Sequence, residues 1–452
     1  MKRIALFLSL LFIYISNSTI VFSQSSQDDV WKVGVARHII TPQSPTWMAG
    51  YSSRTSPSEG ILHDIWAKAI TLEDSNGVRS VLVTTDLLSI PKDFSEKIKD
   101  KVKQKHQLDK SQVILSCSHT HSGPVVSRAL KYIYPMNSDD WSVIDKYTME
   151  LEMMLLQLID ESMQNLIPAK IYTQNGTARF QVNRRNNQES ALKGTTELNG
   201  PNDYAVPVIK VEGLDENLIA VIFGYACHPT TLSINEFSGD YPGFAQIELE
   251  KLYPGATAMF FQGSGGDQNP LPRRTIPLAI QYGKQLASTV ERILSEDMVK
   301  QESKLTTRYN EVDIPFDNPL PMEELREVAK RDDYQGKWAQ GMIDDYKRDG
   351  YLIKSYPFPL GYWEIGNQKL FVLGGESVIF YTRKLKEIFG EESFVMSYAN
   401  DVMGYIPSEV VLNEGGYEGD SAQRVYGLPA KWSKKVEPLI INGMSDLVLK
   451  NK

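Results

Sequence analysis

The strand–helix–strand pattern of residues 78–117 restricts the fold of this chain more than any other feature. Residues 78–90 are strongly apolar and β-branched, which is typical of a strand buried on both faces. Residues 94–106 predict a lysine-rich amphipathic helix, and a second apolar run begins at Ile114. A strand, a helix and a strand in succession imply a crossover connection and at least partly parallel pairing. The sequence therefore predicts an α/β fold.

Two histidines follow the second apolar run. His119 and His121 are spaced i, i+2, and Ser122-Gly-Pro124 then turns the chain. Successive strand residues point to opposite faces, so we expect both imidazoles on one face at the end of a strand. Two such imidazoles could bind one metal ion, or one could bind metal while the other transfers protons. A pair of partly exposed loop histidines is the alternative.

Strand and helix patterns alternate along the rest of the chain, without an internal repeat or a composition break. The sequence predicts strands at 31–40, 61–72, 171–182, 206–211, 218–226, 256–261, 304–316, 363–373 and 394–398. It predicts helices at 141–166, 242–252, 276–295, 321–331, 378–389 and 436–449. Residues 206–226 are expected to form a hairpin around Gly213, and residues 331–356 a partly helical surface insertion. One large α/β domain is the simplest organisation; a small subregion beyond about residue 300 is the alternative.

The N-terminus is typical of a secretory signal peptide. Lys2 and Arg3 precede the apolar residues 4–14, and we expect cleavage near Ser23 or Gln24. Residues 1–24 are therefore predicted to direct the mature chain to the periplasm or the medium; an uncleaved anchor is the alternative. No later segment is long and apolar enough to cross a bilayer. The net charge of −8 disfavours nucleic acid as a partner, and the oligomeric state stays open.

The chain has only two cysteines, which excludes a disulfide scaffold. Cys117 and Cys227 each precede a histidine of interest, so they could bind metal or pair with each other. We favour the third possibility, that both are small buried apolar residues.

Four polar loops each follow a predicted strand, at residues 119–123, 228–240, 263–270 and 374–376. In an open α/β sheet such loops gather at one edge. His119, His228 and Glu376 would then supply two nitrogens and one oxygen, a set that zinc accepts in catalytic sites. Scattered, unrelated histidines are the alternative. The glycine-rich residues 263–266 lack the Lys-Ser/Thr of a phosphate loop, so they favour a tight turn near an oxyanion, or a plain strand-to-helix turn.

An ordered series of motifs resembles the catalytic domain of the neutral (alkaline, non-lysosomal) ceramidase family, zinc-dependent amidases that cleave the N-acyl bond of ceramide. The motifs are Val33-Gly-Val-Ala36, Gly60-Ile-Leu-His-Asp-Ile-Trp-Ala-Lys-Ala69, His119-Thr-His-Ser-Gly-Pro124, Val182-Asn-Arg-Arg185, Cys227-His-Pro-Thr230, Ser238-Gly-Asp-Tyr-Pro-Gly-Phe-Ala245, Gly266-Asp267, Gly375-Glu376 and Asn400-Asp-Val-Met-Gly-Tyr-Ile406. The resemblance implies one large, layered, mixed-sheet catalytic domain over residues 25–452, with helices packed on the sheets.

The resemblance also implies roles for individual residues. The implied zinc ligands are His119, His228, Glu376 and Tyr405. His121 would stabilise the oxyanion or transfer protons. Arg184, or else Arg185, would bind a polar group of the substrate.

Two departures from the family pattern matter. The family has Gly-Asp-x-Ser-Pro, whose serine has been assigned as a nucleophile, whereas Gly266-Asp-Gln-Asn-Pro270 places Asn269 there. Because an amide cannot act as an alkoxide, we expect zinc-activated water to attack directly, with Asn269 donating a hydrogen bond. An immunoglobulin-like C-terminal domain, found in full-length members, is not expected here.

The sequence thus predicts a zinc-dependent hydrolase of an amide bond, acting on the N-acyl group of ceramide or of a related lipid or amino sugar. An esterase or other metal hydrolase on the same scaffold is the first alternative. A binding protein for lipid or glycan with a degenerate site is the second.

Overall fold

The computed structural model describes residues 30–449, so the predicted signal peptide at 1–24 lies outside the described residues. The strands are β1 (Trp31–Ile39), β2 (Gly60–Ile61), β3 (Trp66–Glu73), β4 (Arg79–Thr85), β5 (Val113–Cys117), β6 (Ile167–Thr177), β7 (Gln181–Asn183), β8 (Ala205–Gly213), β9 (Leu218–Tyr225), β10 (Glu236–Phe237), β11 (Thr257–Gln262), β12 (Gln268–Pro270), β13 (Val299–Gln301), β14 (Leu305–Pro315), β15 (Ser355–Ile365), β16 (Gln368–Leu373), β17 (Glu376–Ser377), β18 (Phe394–Met396) and β19 (Tyr405–Ile406). The helices are α1 (Lys92–His106), α2 (Ser138–Gln164), α3 (Asp240–Leu252), α4 (Ile276–Leu294), α5 (Met322–Val328), α6 (Tyr334–Asp349), α7 (Phe380–Phe389), α8 (Glu409–Glu414), α9 (Ala422–Val425) and α10 (Val436–Leu449).

The main sheet has nine strands, in the order β11-β9-β8-β6-β1-β3-β4-β5, with β13 also paired to β6. Its pairing is mixed. β4 and β5 are parallel and are connected through α1, which confirms the crossover predicted from residues 78–117. β9 and β11 are parallel and are connected through α3, whereas β8 and β9 form the predicted antiparallel hairpin.

A second sheet, β14-β15-β16-β18, packs on the main sheet and makes the fold layered. Alternate residues of the main strands, such as Ile70 and Ile222, pack against Trp363 and Val372 of the second sheet. The opposite faces of the same strands are covered by α1 and α2 over one half and by α3 and α4 over the other. The outer face of the second sheet is covered by α7 and α10. The layers are therefore helices, sheet, sheet and helices, which confirms a large, layered, mixed-sheet α/β fold.

One predicted strand differs from the structure. Residues 363–373 span the end of β15, a turn and β16, because Gly366 adopts φ of +61° and reverses the chain. The insertion at 331–356 is partly helical, as predicted, and Trp338 of α6 anchors it with its indole N–H donating to Leu428 O over 2.8 Å. Among the residues that the structure describes, no helix is long and apolar enough to cross a membrane.

Both cysteines are buried, free thiols. Cys117 lies at the end of β5 and its Sγ donates to the Leu88 and Tyr398 carbonyl oxygens. Burial raises the pKa of the Cys227 thiol well above its ordinary value, so this thiol stays protonated. These surroundings agree with small buried residues rather than with a disulfide.

Candidate metal site

The candidate site lies at the carboxyl ends of strands from both sheets. His119 follows β5, His228 follows β9, and Asn269 lies in β12, just after β11. β17 and β19, which follow the second-sheet strands β16 and β18 in the chain, form a separate short parallel pair that aligns Glu376 with Tyr405. Five separate segments of the chain therefore meet at one place, as expected for polar loops at one edge of an α/β sheet.

His119 does not lie in a strand, contrary to the expectation from i, i+2 alternation. β5 ends at Cys117, and His119 adopts a left-handed φ of +64°, which is uncommon for a residue with a side chain. Its Nδ1 lies 2.7 Å from the Leu88 carbonyl oxygen. A carbonyl only accepts, so Nδ1 carries the proton and Nε2 points inward with a free lone pair when the ring is neutral.

His228 has the same arrangement. Its Nδ1 donates to the Gly265 carbonyl oxygen over 2.6 Å, and the side chain is fully buried. Burial and the positive charge of Arg184 lower the pKa of His228 to about 4, so the ring is neutral at pH 7. Its Nε2 is therefore also a lone-pair donor facing the interior.

Both Nε2 atoms face one oxygen of Glu376. Oε2 lies 3.1 Å from Nε2 of His119 and 3.0 Å from Nε2 of His228. Burial raises the pKa of Glu376, but positive charge and N–H donation at the two imidazoles outweigh burial and hold this pKa well below its ordinary value. A carboxylate oxygen and the Nε2 lone pair of a neutral imidazole repel at this distance unless a cation or proton lies between them. The cluster therefore needs positive charge between these atoms, which a bound cation or a proton on an imidazole would supply.

Two tyrosines, which the sequence analysis missed, position Glu376. The hydroxyl of Tyr426 donates to Oε1, and the hydroxyl of Tyr398 lies 3.4 Å from Oε2. The ring of Tyr398 also packs 4.5 Å from the ring of His119. Gly375 adopts φ of +64°, and a Cβ there would lie 2.5 Å from Ile406 Cγ1, so this turn requires glycine.

His121 completes a cluster of three imidazoles. Its Nε2 lies 3.3 Å from Nε2 of His119, and the three histidines offer ring nitrogens that all lie within 4.8 Å of one another. Burial and the neighbouring rings of His119 and His228 lower the pKa of His121 well below its ordinary value. Its carbonyl oxygen accepts from Arg54 over 2.8 Å, and its ring packs 4.8 Å from Tyr51.

Arg184 lies beside this cluster and is held in one orientation. Its Nε donates to Glu418 over 2.8 Å, its Nη2 to the Tyr405 hydroxyl over 3.0 Å, and its Nη1 to Asn269 Oδ1 over 3.4 Å. Glu418 lies in a π-helical turn, Tyr417–Ser421, a geometry that is often found at functional sites. Arg185 binds Glu414 and Glu418 instead, so Arg184 is the arginine that reaches the site.

Tyr405 and Asn269 occupy the space between Arg184 and the imidazoles. The Tyr405 hydroxyl lies 3.2 Å from His228 Nε2, and burial raises the pKa of this phenol well above its ordinary value. Asn269 Oδ1 also accepts from Thr230 Oγ1 over 3.5 Å. Since donors from two residues reach this oxygen, the amide nitrogen of Asn269 is left to donate to another group.

The side chains present fit a zinc ion. Imidazole nitrogen, carboxylate oxygen and phenol oxygen are all ligand types that zinc accepts, although phenol is unusual. Each of the two buried histidines donates its Nδ1–H to a backbone carbonyl, the arrangement that orients histidine ligands in metal sites. The structure thus brings together all the predicted site residues except the alternative Arg185, and it adds Tyr398, Tyr426 and Glu418.

The layered α/β fold and the buried cluster of histidines with a carboxylate are those of an α/β protein with a candidate metal site. This class can be compared with known families. A family model for the N-terminal part of neutral/alkaline non-lysosomal ceramidases matches residues 31–270. The chain belongs to this neutral/alkaline ceramidase family. The match includes His119, His121 and His228, whereas Glu376 and Tyr405 lie beyond it.

Individual relatives agree with this assignment. Neutral ceramidase B of Dictyostelium discoideum is 26% identical over 305 residues, which are 60% of this chain and 41% of that protein. The neutral ceramidase of Pseudomonas aeruginosa is 27% identical over 256 residues, 54% of this chain and 38% of that protein. This chain therefore matches about two fifths of the length of these curated relatives. The crystal structure of the Pseudomonas aeruginosa protein superposes with a TM-score of 0.72 and 19% identity, covering 93% of this chain and 74% of that chain.

Proposed function

We propose that this chain is a zinc-dependent amidohydrolase that cleaves the N-acyl bond of ceramide or of a related N-acylated lipid or amino sugar. The observation that carries the proposal is the convergence of His119 Nε2 and His228 Nε2 on Glu376 Oε2, at 3.1 and 3.0 Å. Membership of the ceramidase family and the names of the relatives support the substrate class.

The proposed zinc ligands are His119, His228, Glu376 and Tyr405. Zinc held there would supply a Lewis acid that polarises the scissile carbonyl and makes water acidic enough to ionise at neutral pH. The need for positive charge between Glu376 Oε2 and the two imidazoles supports a cation at this position.

The other residues of the site would bind and orient the substrate. Arg184, which Glu418 holds in place, would donate to the oxyanion of the tetrahedral intermediate. Asn269 would donate its amide N–H to the substrate, because Oδ1 already accepts from Arg184 and Thr230. His121 is not fully enclosed, so it would transfer a proton from the attacking water to the leaving nitrogen.

Asn269 restricts the mechanism. An amide side chain cannot form an acyl-enzyme, so we propose direct attack by water rather than a covalent route at this position. We also propose that residues 1–24 are a signal peptide and that the mature protein is secreted or periplasmic, on the basis of the N-terminal sequence pattern.

A substrate panel with and without chelator tests the proposal. Wild type, His119→Ala and the control His106→Ala would be assayed on ceramides, N-acyl amino acids and N-acetyl sugars, together with metal analysis. His106 is a matched control because it binds Asp160 on the surface, 2.6 Å away. We expect zinc in wild type and in the control, and loss of activity in His119→Ala and after chelation.

Three outcomes would contradict the proposal. Full activity of the metal-free protein or of His119→Ala would remove zinc from the mechanism. Cleavage of a matched ester with the amide left intact would favour an esterase. Tight binding of an N-acyl ligand that stays intact would favour a binding protein with a degenerate site.

A further inference from the structure

Four arginines lie near the candidate metal site, and each contacts a residue of the site or a side chain packed against it: Arg54, Arg184, Arg273 and Arg274. We call them the arginine rim. We propose that the rim selects substrates whose amine portion carries an anionic group, a carboxylate, sulfonate or phosphate, next to the N-acyl bond. This inference rests on the proposed function and specifies the substrate class of the same site.

Arg274 is the rim residue most available to a ligand. It is exposed, and it forms no ion pair with any carboxylate of residues 30–449. Its Nη1 donates to the Tyr51 hydroxyl over 3.0 Å, and its guanidinium lies 5.4 Å from the centre of the Tyr51 ring. Because that ring lies 4.8 Å from the His121 ring, the guanidinium is within about 10 Å of His121.

The backbone of Arg274 is held in an unfavourable conformation. Its φ is +87°, which a residue with a Cβ rarely adopts, and its N–H donates to the Thr231 carbonyl oxygen over 2.6 Å. The loop therefore fixes an exposed arginine against Tyr51 at a cost in backbone energy. Such strain is concentrated at binding and catalytic sites.

Arg273 reaches the site from the same loop. Its Nη1 donates to Thr230 Oγ1 over 3.2 Å, and this hydroxyl donates to Asn269 Oδ1 over 3.5 Å. Its Nε binds Glu189, whose side chain is 42% exposed and therefore only weakly neutralises it. Arg273 thus connects to Asn269 through Thr230, whereas Arg184 contacts Asn269 directly.

Arg54 contributes positive charge without touching the open side. It is buried, and its donors reach only the Ile234 and His121 carbonyl oxygens and the Asn235 amide oxygen. No carboxylate among residues 30–449 pairs with it. A buried guanidinium stays charged, so its field acts on the neighbouring site with little screening.

The carboxylates near the rim do not pair with Arg54 or Arg274. Glu418 is shared by Arg184 and Arg185. Asp240 is buried and accepts from the Leu232 and Tyr241 backbone N–H groups. Arg54 and Arg274 therefore form no ion pair among residues 30–449, in a protein whose overall net charge is −8. A neutral amino alcohol would leave the exposed guanidinium of Arg274 without an anionic partner, whereas an acidic group would pair with it through charge-assisted hydrogen bonds.

The test compares substrates with the same acyl chain on a neutral amino alcohol, an amino acid, an aminosulfonate and an aminoalkyl phosphate. We expect kcat/KM for at least one anionic substrate to exceed that for the neutral one by about tenfold or more, the size of one charge-assisted hydrogen bond. The preference should fall between about 10 mM and 150 mM salt, because the rim is partly exposed.

Three variants distinguish a role of the rim in substrate selection from a merely structural role of Arg274. Arg274→Gln should lower the ratio of anionic to neutral kcat/KM about tenfold, and Arg274→Lys should restore part of that ratio. The control Arg292→Gln, an exposed arginine of α4 that binds Glu296, should leave the ratio unchanged.

Equal or better cleavage of the neutral substrate by wild type would overturn the inference and leave the proposed function intact. An equal loss on all substrates in Arg274→Gln would also overturn it, because the residue would then be merely structural. Failure to cleave any N-acyl substrate would refute the proposed function and the inference together.

Discussion

Tyr426 offers a direct test of how Glu376 is positioned. Its hydroxyl is the one hydrogen-bond donor, among residues 30–449, that reaches Glu376 Oε1. The Glu376 side chain is only 2% exposed, so water does not readily replace a lost donor. Tyr426→Phe should therefore leave a buried carboxylate oxygen unsatisfied and loosen its orientation towards the two imidazoles.

The expected magnitude follows from the chemistry of that bond. A hydrogen bond to a charged group contributes about 1.5–3 kcal/mol, which corresponds to roughly 10- to 100-fold in an equilibrium constant. Tyr426 is itself partly exposed, so we expect the lower end, a loss of about tenfold in zinc affinity. Competition of wild type and Tyr426→Phe with a chromophoric zinc chelator at pH 7 measures this loss.

Tyr147→Phe is the matched control. The Tyr147 hydroxyl donates to the Ile40 carbonyl oxygen over 2.7 Å, on the helix-covered side of the main sheet. This variant should lose some stability and keep its zinc affinity. The same zinc affinity in Tyr426→Phe and wild type would refute the argument that Tyr426 orients a metal ligand.

Three further predictions address the metal shell, the backbone and a buried lysine. Tyr405→Phe should lower zinc affinity if the phenol is a ligand; unchanged affinity with reduced kcat would make Tyr405 a donor to the substrate instead. Gly375→Ala should lower the free energy of unfolding in urea by about 1–3 kcal/mol. Gly77→Ala, at φ +79° with no atom within 4 Å of the new Cβ, should cost less. Burial lowers the pKa of Lys99 to about 7 in the folded protein, so the unfolded chain binds a proton at Lys99 more tightly than the folded protein does. Stability should therefore rise by about 1.4 kcal/mol per pH unit between pH 7 and 10, and Lys99→Met should remove this slope in pH-dependent denaturation. A slope that persists in the variant would show that other groups cause it.

The periodicity of the sequence predicted most of the framework. Residues 436–449 have an uninterrupted helical pattern, and α10 has the same bounds. The crossover through α1 followed from two β-branched runs and the helix between them. The hairpin of β15 and β16 was only partly recognised, because the pattern of residues 355–362, rich in Pro and Tyr, does not alternate clearly.

The site could be predicted only where a local motif marks it. His119 and His121 lie two residues apart, but their contact arises from a left-handed turn at His119 that the spacing does not reveal. Tyr426 and Glu418 lie 50 and 234 residues from the side chains they bind, Glu376 and Arg184. No local pattern links such pairs, and the backbone carbonyls that orient the histidines carry no side-chain signal at all.

The site draws its groups from both sheets, and this has a mechanical consequence. His119 and His228 extend from the main sheet, and Glu376 and Tyr405 from connections of the second sheet. Nearby, the layers are joined by the Ser116–Ala399 bridge and by backbone hydrogen bonds such as that from Asn400 N–H to the Leu115 carbonyl oxygen. A cation at this junction would clamp the two layers, so its binding energy would resist their separation. Hydrogen exchange along β5 and β18 should then slow when the ion is bound. The metal would in that case stabilise the packing of the two sheets as well as take part in the reaction.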